Sequence, residues 1–256
     1  MTLSLQPKIL RFESIDSTNL EALRQARAGA PEGLCIVARE QTRGRGRLDR
    51  RWESPKDAGL YFSIVLRPTF ELGRWPLITL MTAVAVSDAL ANTCDLRVDI
   101  KWPNDILCDD RKLAGILAET AETELGMAVI VGIGINLKGE SFAPELGAVA
   151  TSIEAVTGST PNSDLLLDEL IKTICAQYEA LQQADGPKQL VREWCACSSY
   201  AFEREVRVTA NQEVFEGITR GLESDGALKV ETASGKVRLI RAGDVTGLRP
   251  VKKSDE

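Results

Sequence analysis

Gln41-Thr42-Arg43-Gly44-Arg45-Gly46-Arg47-Leu48-Asp49-Arg50-Arg51-Trp52 packs five arginines and two glycines into one run with neither helical nor strand periodicity. It lies between Leu34-Cys35-Ile36-Val37-Ala38 and Leu60-Tyr61-Phe62-Ser63-Ile64-Val65-Leu66, two short segments with the composition of strands. A loop over residues 41–58 is therefore expected between two strands. Its glycines let the backbone turn tightly while the guanidinium groups project from it. Such forks suit a phosphate or a carboxylate, although a solvated basic loop is the plainer alternative.

Outward on the N-terminal side, Ser17-Thr18-Asn19 opens an amphipathic run, Leu20 to Ala28, with apolar residues at Leu20, Leu23 and Ala26. Glu21 stands three after Thr18 as a capping box requires, and Gly29 and Pro31 end the predicted helix. On the other side, Pro76 to Ala91 reads as the main buried helix. Strands are predicted at Arg97 to Trp102, Leu113 to Ala118 and Met127 to Leu137, the last containing Gly132 and Gly134. Helices follow at Asp164 to Gln183 and Lys188 to Ala196, separated by Gly186-Pro187. From Glu205 the pattern becomes short β segments, 205–210, 214–222, 227–231 and 236–240, as in a small antiparallel barrel. The expected layout is two domains, 1–198 and 199–256.

Composition narrows the functions. The 256 residues are 44% hydrophobic and 27% charged, as in ordinary folded proteins, and the net charge of −6 argues against a nucleic-acid partner. No apolar run approaches the roughly 18–20 residues of a membrane span, and Met1 to Arg11 lacks a signal-peptide pattern, so no membrane association and a cytoplasmic location are expected. Six cysteines form no Cys-x-x-Cys pair, which fits reduced, buried thiols. The absence of histidine excludes Ser-His and Cys-His triads; catalysis must rest on charge and positioning.

Three further segments stand out. Lys101-Trp102-Pro103-Asn104-Asp105 ends a strand in a polar turn; Arg111-Lys112-Leu113-Ala114-Gly115-Ile116 places an ammonium before a buried strand; Val131-Gly132-Ile133-Gly134-Ile135-Asn136 resembles a phosphate turn. Each alone has an ordinary structural reading: a turn, a strand-flanking lysine, a packing glycine. The last lacks the third glycine and the acidic residue of a dinucleotide site, which disfavours a Rossmann NAD fold.

Together and in this order, with Ser17-Thr18-Asn19, these segments resemble the biotin protein ligase family from about Phe12 to Pro250. The resemblance implies an α+β catalytic domain of the class II aminoacyl-tRNA synthetase kind, a mixed sheet with helices, plus a small C-terminal SH3-like barrel. It implies ATP-dependent formation of biotinyl-adenylate and transfer of biotin to a lysine of a biotin carboxyl carrier protein, with Mg²⁺ accompanying ATP. Ser17, Thr18, Asn19, Gln41, Gly44, Arg45, Gly46, Arg47, Lys112, Gly115 and Gly132 match biotin-site positions. Arg45, Arg47, Arg50, Trp52, Lys101, Asn104 and Asn136 match nucleotide-site positions. Arg47, Lys101, Asp105 and Lys112 match the catalytic set, Asp105 also as a metal contact.

The chain departs from the family's bifunctional members in having fewer than twenty residues before the first helix, so operator binding is not expected. Asp49 stands where the family commonly has glycine, which affects the loop's access to left-handed conformations. Lipoate or octanoyl transfer is the nearest enzymatic alternative, and a non-catalytic biotin or nucleotide sensor the alternative of another class. Homodimerisation through an exposed sheet edge is a further possibility.

Overall fold

In a computed structural model of the chain, which describes residues 5–139, 148–210 and 212–247, the arginine-rich loop joins β2 (Leu34–Ala38) to β3 (Gly59–Leu66). Before them come β1 (Lys8–Phe12) and helix α1 (Thr18–Arg27). After them come α2 (Pro76–Cys94), β4 (Asp99–Lys101), β5 (Asp105–Cys108), β6 (Arg111–Thr123) and β7 (Gly126–Asn136). The seven strands form one sheet in the order β1-β2-β3-β7-β6-β5-β4, parallel only between β1 and β2, which is the expected mixed sheet. Helices α3 (Ile153–Thr157), α4 (Ser163–Leu181) and α5 (Gly186–Ala196) complete this unit.

Period-two alternation explains how the sheet divides its two faces. On β3, Leu60, Phe62, Ile64 and Leu66 enter the large core that includes α2 and α4, whereas Val65 enters a small core with Ala22 and Ala26 of α1. On β7, Val129, Val131, Ile133 and Ile135 face the large core and Ala128 and Ile130 the small one. Gly132, Gly134 and Asn136 continue the second series, Gly132 beneath Asn19 at the start of α1 and Gly134 beneath Trp52. Arg67 fixes the other end of α1: its Nη2 donates to the Ala30 carbonyl at 2.9 Å and its Nη1 to Thr123 Oγ1 at 2.9 Å.

Helix α2 is longer than expected from Pro76 to Ala91, and Leu72–Cys94 does meet the length and hydropathy of a membrane span. Its apolar residues are spent on the sheet, α4 and α5, as in a core helix. Gly186-Pro187 begins α5 instead of separating it from α4; proline is favoured in a first turn, where its missing N–H is no loss. The capping box also differs. Ser17 is the N-cap with no side-chain cap, and Glu21 bonds to Arg24 at 2.9 Å, leaving the Thr18 hydroxyl for the sheet.

The C-terminal unit is a five-stranded antiparallel sheet, β8 (Phe202–Ala210), β9 (Glu213–Leu222), β10 (Leu228–Glu231), β11 (Val237–Ile240) and β12 (Asp244–Gly247), ordered β11-β10-β9-β8-β12. Val206, Val208, Leu222, Leu228, Val230, Ile240 and Val245 are buried and join the large core of the first unit. Trp102 Nε1 donates to the Gly226 carbonyl at 3.1 Å, tying the two sheets together beside the β4–β5 turn.

Candidate active site

A cavity of about 620 Å³ opens on the polar face of the large sheet, within the usual range for small-ligand sites. Its floor is a row set by strand register: Gly134 opposite Gly115, Gly115 opposite Asp105, Asp105 opposite Lys101. The two glycines make the floor low. A Cβ at Gly134 would stand 2.5 Å from the Trp52 indole, and one at Gly115 3.1 Å from both Trp52 and the Lys112 stem, so the space above the strands is already filled by Trp52. Sequence spacing suggested ligand room or packing at these glycines; here the close neighbour is a side chain of the loop.

At one end, the N-terminus of α1 supplies a buried polar cluster. Gln41 Oε1 accepts from the Thr18 N–H at 2.8 Å and from the Thr18 hydroxyl at 3.1 Å, and Gln41 Nε2 donates to Ser54 Oγ at 2.8 Å. Ser63 Oγ makes contacts with Thr18 Oγ1 at 2.8 Å and with Asn19 Oδ1 at 2.7 Å. Asn19 Nδ2 donates to Glu119 at 2.9 Å and to the Leu117 carbonyl at 3.2 Å. Gly132 is required here, because a Cβ would collide with Asn19 Oδ1. Ser63 and Glu119 were missed from the sequence, though Ser63 left a signal: it is the lone aliphatic hydroxyl in an otherwise apolar strand.

The arginine loop is a hairpin, not an irregular coil. Arg45 and Arg51 form a bridge, Gly46 N–H donates to the Arg50 carbonyl at 2.7 Å, and Trp52 N–H donates to the Gly44 carbonyl at 3.0 Å. Leu48 and Asp49 at its tip have φ of 54° and 57°, so Asp49 does enter the left-handed region where glycine is the easier residue. Arg45 pairs with Glu119 at 3.0 Å. Arg47 donates to Asn104 Oδ1 and to the Gly243 carbonyl, each at 3.1 Å, and Arg50 pairs with Asp244. The hairpin thus reaches from the sheet to the C-terminal unit.

At the far end of the row, Lys112 lies 2.6 Å from Asp105 and 5.3 Å from the Trp52 ring centroid. Asn104 fastens the turn, its Nδ2 donating to the Ile116 carbonyl at 2.7 Å, and Asn136 Nδ2 donates to the Thr151 carbonyl at 2.9 Å. Lys101 enters no ion pair among the described residues. The cavity therefore lines itself with every expected site residue except Gly44, which lies behind it against the Trp52 carbonyl and Ser54. It also includes Arg51, one of the loop's five arginines, and Glu53, Asp110, Tyr200, Arg204 and the segment Asp244–Gly247, to which no site role was given from the sequence. Its described lining carries seven basic and four acidic side chains in a chain of net charge −6, a strong local bias toward anions.

Residues 11–136 match the biotin/lipoate A/B protein ligase family, and residues 201–246 the biotin protein ligase C-terminal domain. The chain is 35% identical over 237 residues to the bifunctional ligase/repressor BirA of Bacillus spizizenii, spanning 90% of this chain and 71% of the relative. The chain belongs to the biotin protein ligase family. The biotin–[acetyl-CoA-carboxylase] ligase of Paracoccus denitrificans is 35% identical over 240 residues, 90% of this chain and 96% of the relative. Among solved structures, the biotin protein ligase from Aquifex aeolicus in complex with biotin and ATP superposes with a TM-score of 0.82 at 28% identity, covering 94% of this chain and 98% of that one. The ligase fold, with its mixed catalytic sheet and SH3-like C-terminal unit, is thereby shared with proteins whose described ligands are biotin and ATP.

Proposed function

We propose that this biotin protein ligase joins the biotin carboxylate to the α-phosphate of ATP and then passes the biotinyl group to a lysine of a carrier protein. The observation that carries this reading is one cavity in which an amide and hydroxyl cluster, Thr18, Asn19 and Gln41, stands at one end of a row that finishes in Lys112, Asp105 and Lys101. Amides and hydroxyls suit a neutral ureido ring, which needs paired donors and acceptors. The cations suit the anionic half: a carboxylate must meet a phosphate, and the repulsion between them has to be offset before bond formation.

In this reading Lys112 holds the biotin carboxylate, exchanging part of its contact with Asp105 for it, while Arg45, Arg47 and Lys101 face the phosphates. Trp52 offers the nucleotide a flat apolar surface, and its indole Nε1 is buried without a partner among the described residues. The carboxylate oxygen attacks the α-phosphorus, the bond to the β-phosphate breaks, and pyrophosphate leaves. The hairpin 41–52 then excludes water from a mixed anhydride that water would destroy. In the second step the carrier amine attacks the acyl carbon and AMP departs; in this reading Asp105, beside Lys112, orients that amine.

No cluster of three metal-ligating side chains occurs among the described residues, and of the four carboxylates on the cavity wall Asp105 is the one beside Lys112. That fits a Mg²⁺ arriving on phosphate oxygens and taking a single protein ligand, the usual manner for this ion, which would supply further charge neutralisation. The expected acceptor is a biotin carboxyl carrier protein, and the six free cysteines suit a reducing, cytoplasmic setting. Biotin-dependent ATP–pyrophosphate exchange tests the reading. Exchange with biotin but not with lipoate or octanoate supports it; exchange with lipoate or octanoate in place of biotin, or binding without exchange, overturns it.

A further inference from the structure

We infer that Arg204, delivered by the C-terminal sheet, binds the terminal phosphates of the nucleotide and stabilises pyrophosphate as it leaves. The inference rests on the adenylating reading above and adds to it a residue outside the motifs that define the catalytic sheet.

Arg204 occupies an unusual position. Along β8 the even-numbered Val206 and Val208 are buried and the odd-numbered Glu205, Arg207 and Thr209 are exposed, so Arg204 falls on the inward series. An inward arginine in a small β unit needs a reason. The strand is shaped to put it there: pairing with β9 shifts register between Phe202 and Glu205, and Glu203 takes a left-handed φ of 55°. Bulges of this kind re-aim single side chains and gather beside functional sites, and a left-handed non-glycine residue carries a conformational cost that its surroundings must offset. The pairing of Glu203 with Arg220 and the bond from the Arg204 N–H to Thr219 Oγ1, 3.1 Å, hold the bulge in place.

The side chain is placed but only loosely paired. Its guanidinium lies over the Tyr200 ring, 5.1 Å from the centroid, which fixes its direction. Its Nε is buried and has no hydrogen-bond partner among the described residues. Its carboxylate neighbour, Asp110, is 3.8 Å away and largely exposed. Gly247 keeps the opposite side clear: a Cβ there would lie 3.1 Å from the Tyr200 hydroxyl and 3.4 Å from Arg204 Nε. Arg204 and Tyr200 line the same cavity as Arg47, Lys101 and Lys112, at the wall supplied by the C-terminal unit. A preformed, incompletely paired guanidinium facing a cavity already rich in cations fits a polyanion, and the β- and γ-phosphates are the polyanionic part of the proposed substrate.

In the step itself the biotin carboxylate forms the new oxygen–phosphorus bond, the α–β bridging bond breaks, and its electron pair stays on pyrophosphate. Arg204 meets the negative charge that grows on that leaving group. It has no part in the second step, after pyrophosphate has gone. The test is therefore a split between half-reactions in the full-length protein. Arg204→Ala should raise the KM for ATP by about tenfold to a hundredfold, the range of one lost charge-assisted contact, and weaken inhibition by added pyrophosphate equally. The KM for biotin and the transfer rate from preformed biotinyl-adenylate should stay within about twofold. Arg204→Lys should recover part of the ATP effect, and Arg207→Ala, exposed on the same strand and 3.0 Å from Glu216, should behave as wild type. Wild-type exchange combined with an unaltered ATP KM in Arg204→Ala overturns this inference alone. So does equal damage to both half-reactions with a lowered unfolding midpoint, because that marks a structural role. Absence of exchange in the wild type overturns the adenylating reading itself.

Discussion

The two faces of β7 obey opposite demands within one strand. Val129, Val131, Ile133 and Ile135 fill the core under α2, where interchangeable branched side chains need only match a volume. On the other face Gly132, Gly134 and Asn136 answer to particular neighbours: Asn19, Trp52, and the Thr151 and Lys112 carbonyls. The core face is thus specified by pattern and the polar face by identity. A sequence reads the first easily and the second only where the residue types are odd for a strand, as two glycines two apart are.

The sharpest way to break this contrast is to add volume on the polar face. Gly134→Val should push the Trp52 indole off the strand and carry the hairpin with it, lowering biotin-dependent ATP–pyrophosphate exchange by more than about a hundredfold. Because the core face is untouched, the unfolding midpoint should move by only a few degrees. A valine at 134 that keeps full exchange would mean that the position of Trp52 is irrelevant to the reaction.

Next in size is a change at the polar end of the same row. Asp105→Asn removes the carboxylate 2.6 Å from Lys112 without changing the shape of the turn. Transfer from preformed biotinyl-adenylate to the carrier should slow by about tenfold or more, the lower reach of general acid–base effects. Unchanged transfer in a single-turnover assay would remove Asp105 from the second step.

The core face should respond in a different currency. Ile135→Val deletes one methylene from a fully buried residue and should lower stability by about 1 kcal/mol, measured by urea unfolding, with both KM values unchanged. The same face holds Cys35, whose thiol burial pushes up to about 12, opposite Cys175, raised to about 11. Both should resist alkylation in the native state.

What the sequence made legible follows from the same division. The long apolar segments of β3, β7, α2 and α4 announce themselves by composition, whereas β1, β5, α3 and β12, of five, four, five and four residues, are too short to show a period. The cavity's motifs were visible because Arg45, Lys101, Asp105 and Gly134 are unusual in their settings. Arg204 and Tyr200 were not, since an arginine and a tyrosine near a strand are ordinary until the bulge turns one inward and a second sheet brings both to the cavity. Domain-to-domain geometry is not written in local pattern.

The smallest effect separates charge at the rim of the polar face from packing beneath it. Asp16 accepts from the Ser17 N–H at 2.8 Å and pairs with Arg24, which holds its carboxyl down at about 2 against an ordinary value of 3.8. A depressed folded pKa means that the unfolded chain binds the proton first, so the contribution is complete above the ordinary carboxylate range and is lost as pH falls toward about 2. The stability difference between wild type and Asp16→Asn should therefore be constant at neutral pH, shrink from about pH 4 downward, and vanish only below about pH 2. Because the site is open to water, the neutral-pH difference should be small. The Ile135→Val deficit should instead stay level through the same titration, as no charge is involved. Parallel curves for Asp16→Asn and wild type across that window would show that Arg24 contributes nothing through Asp16, and that the start of α1 is held by Gln41 and Ser63 alone.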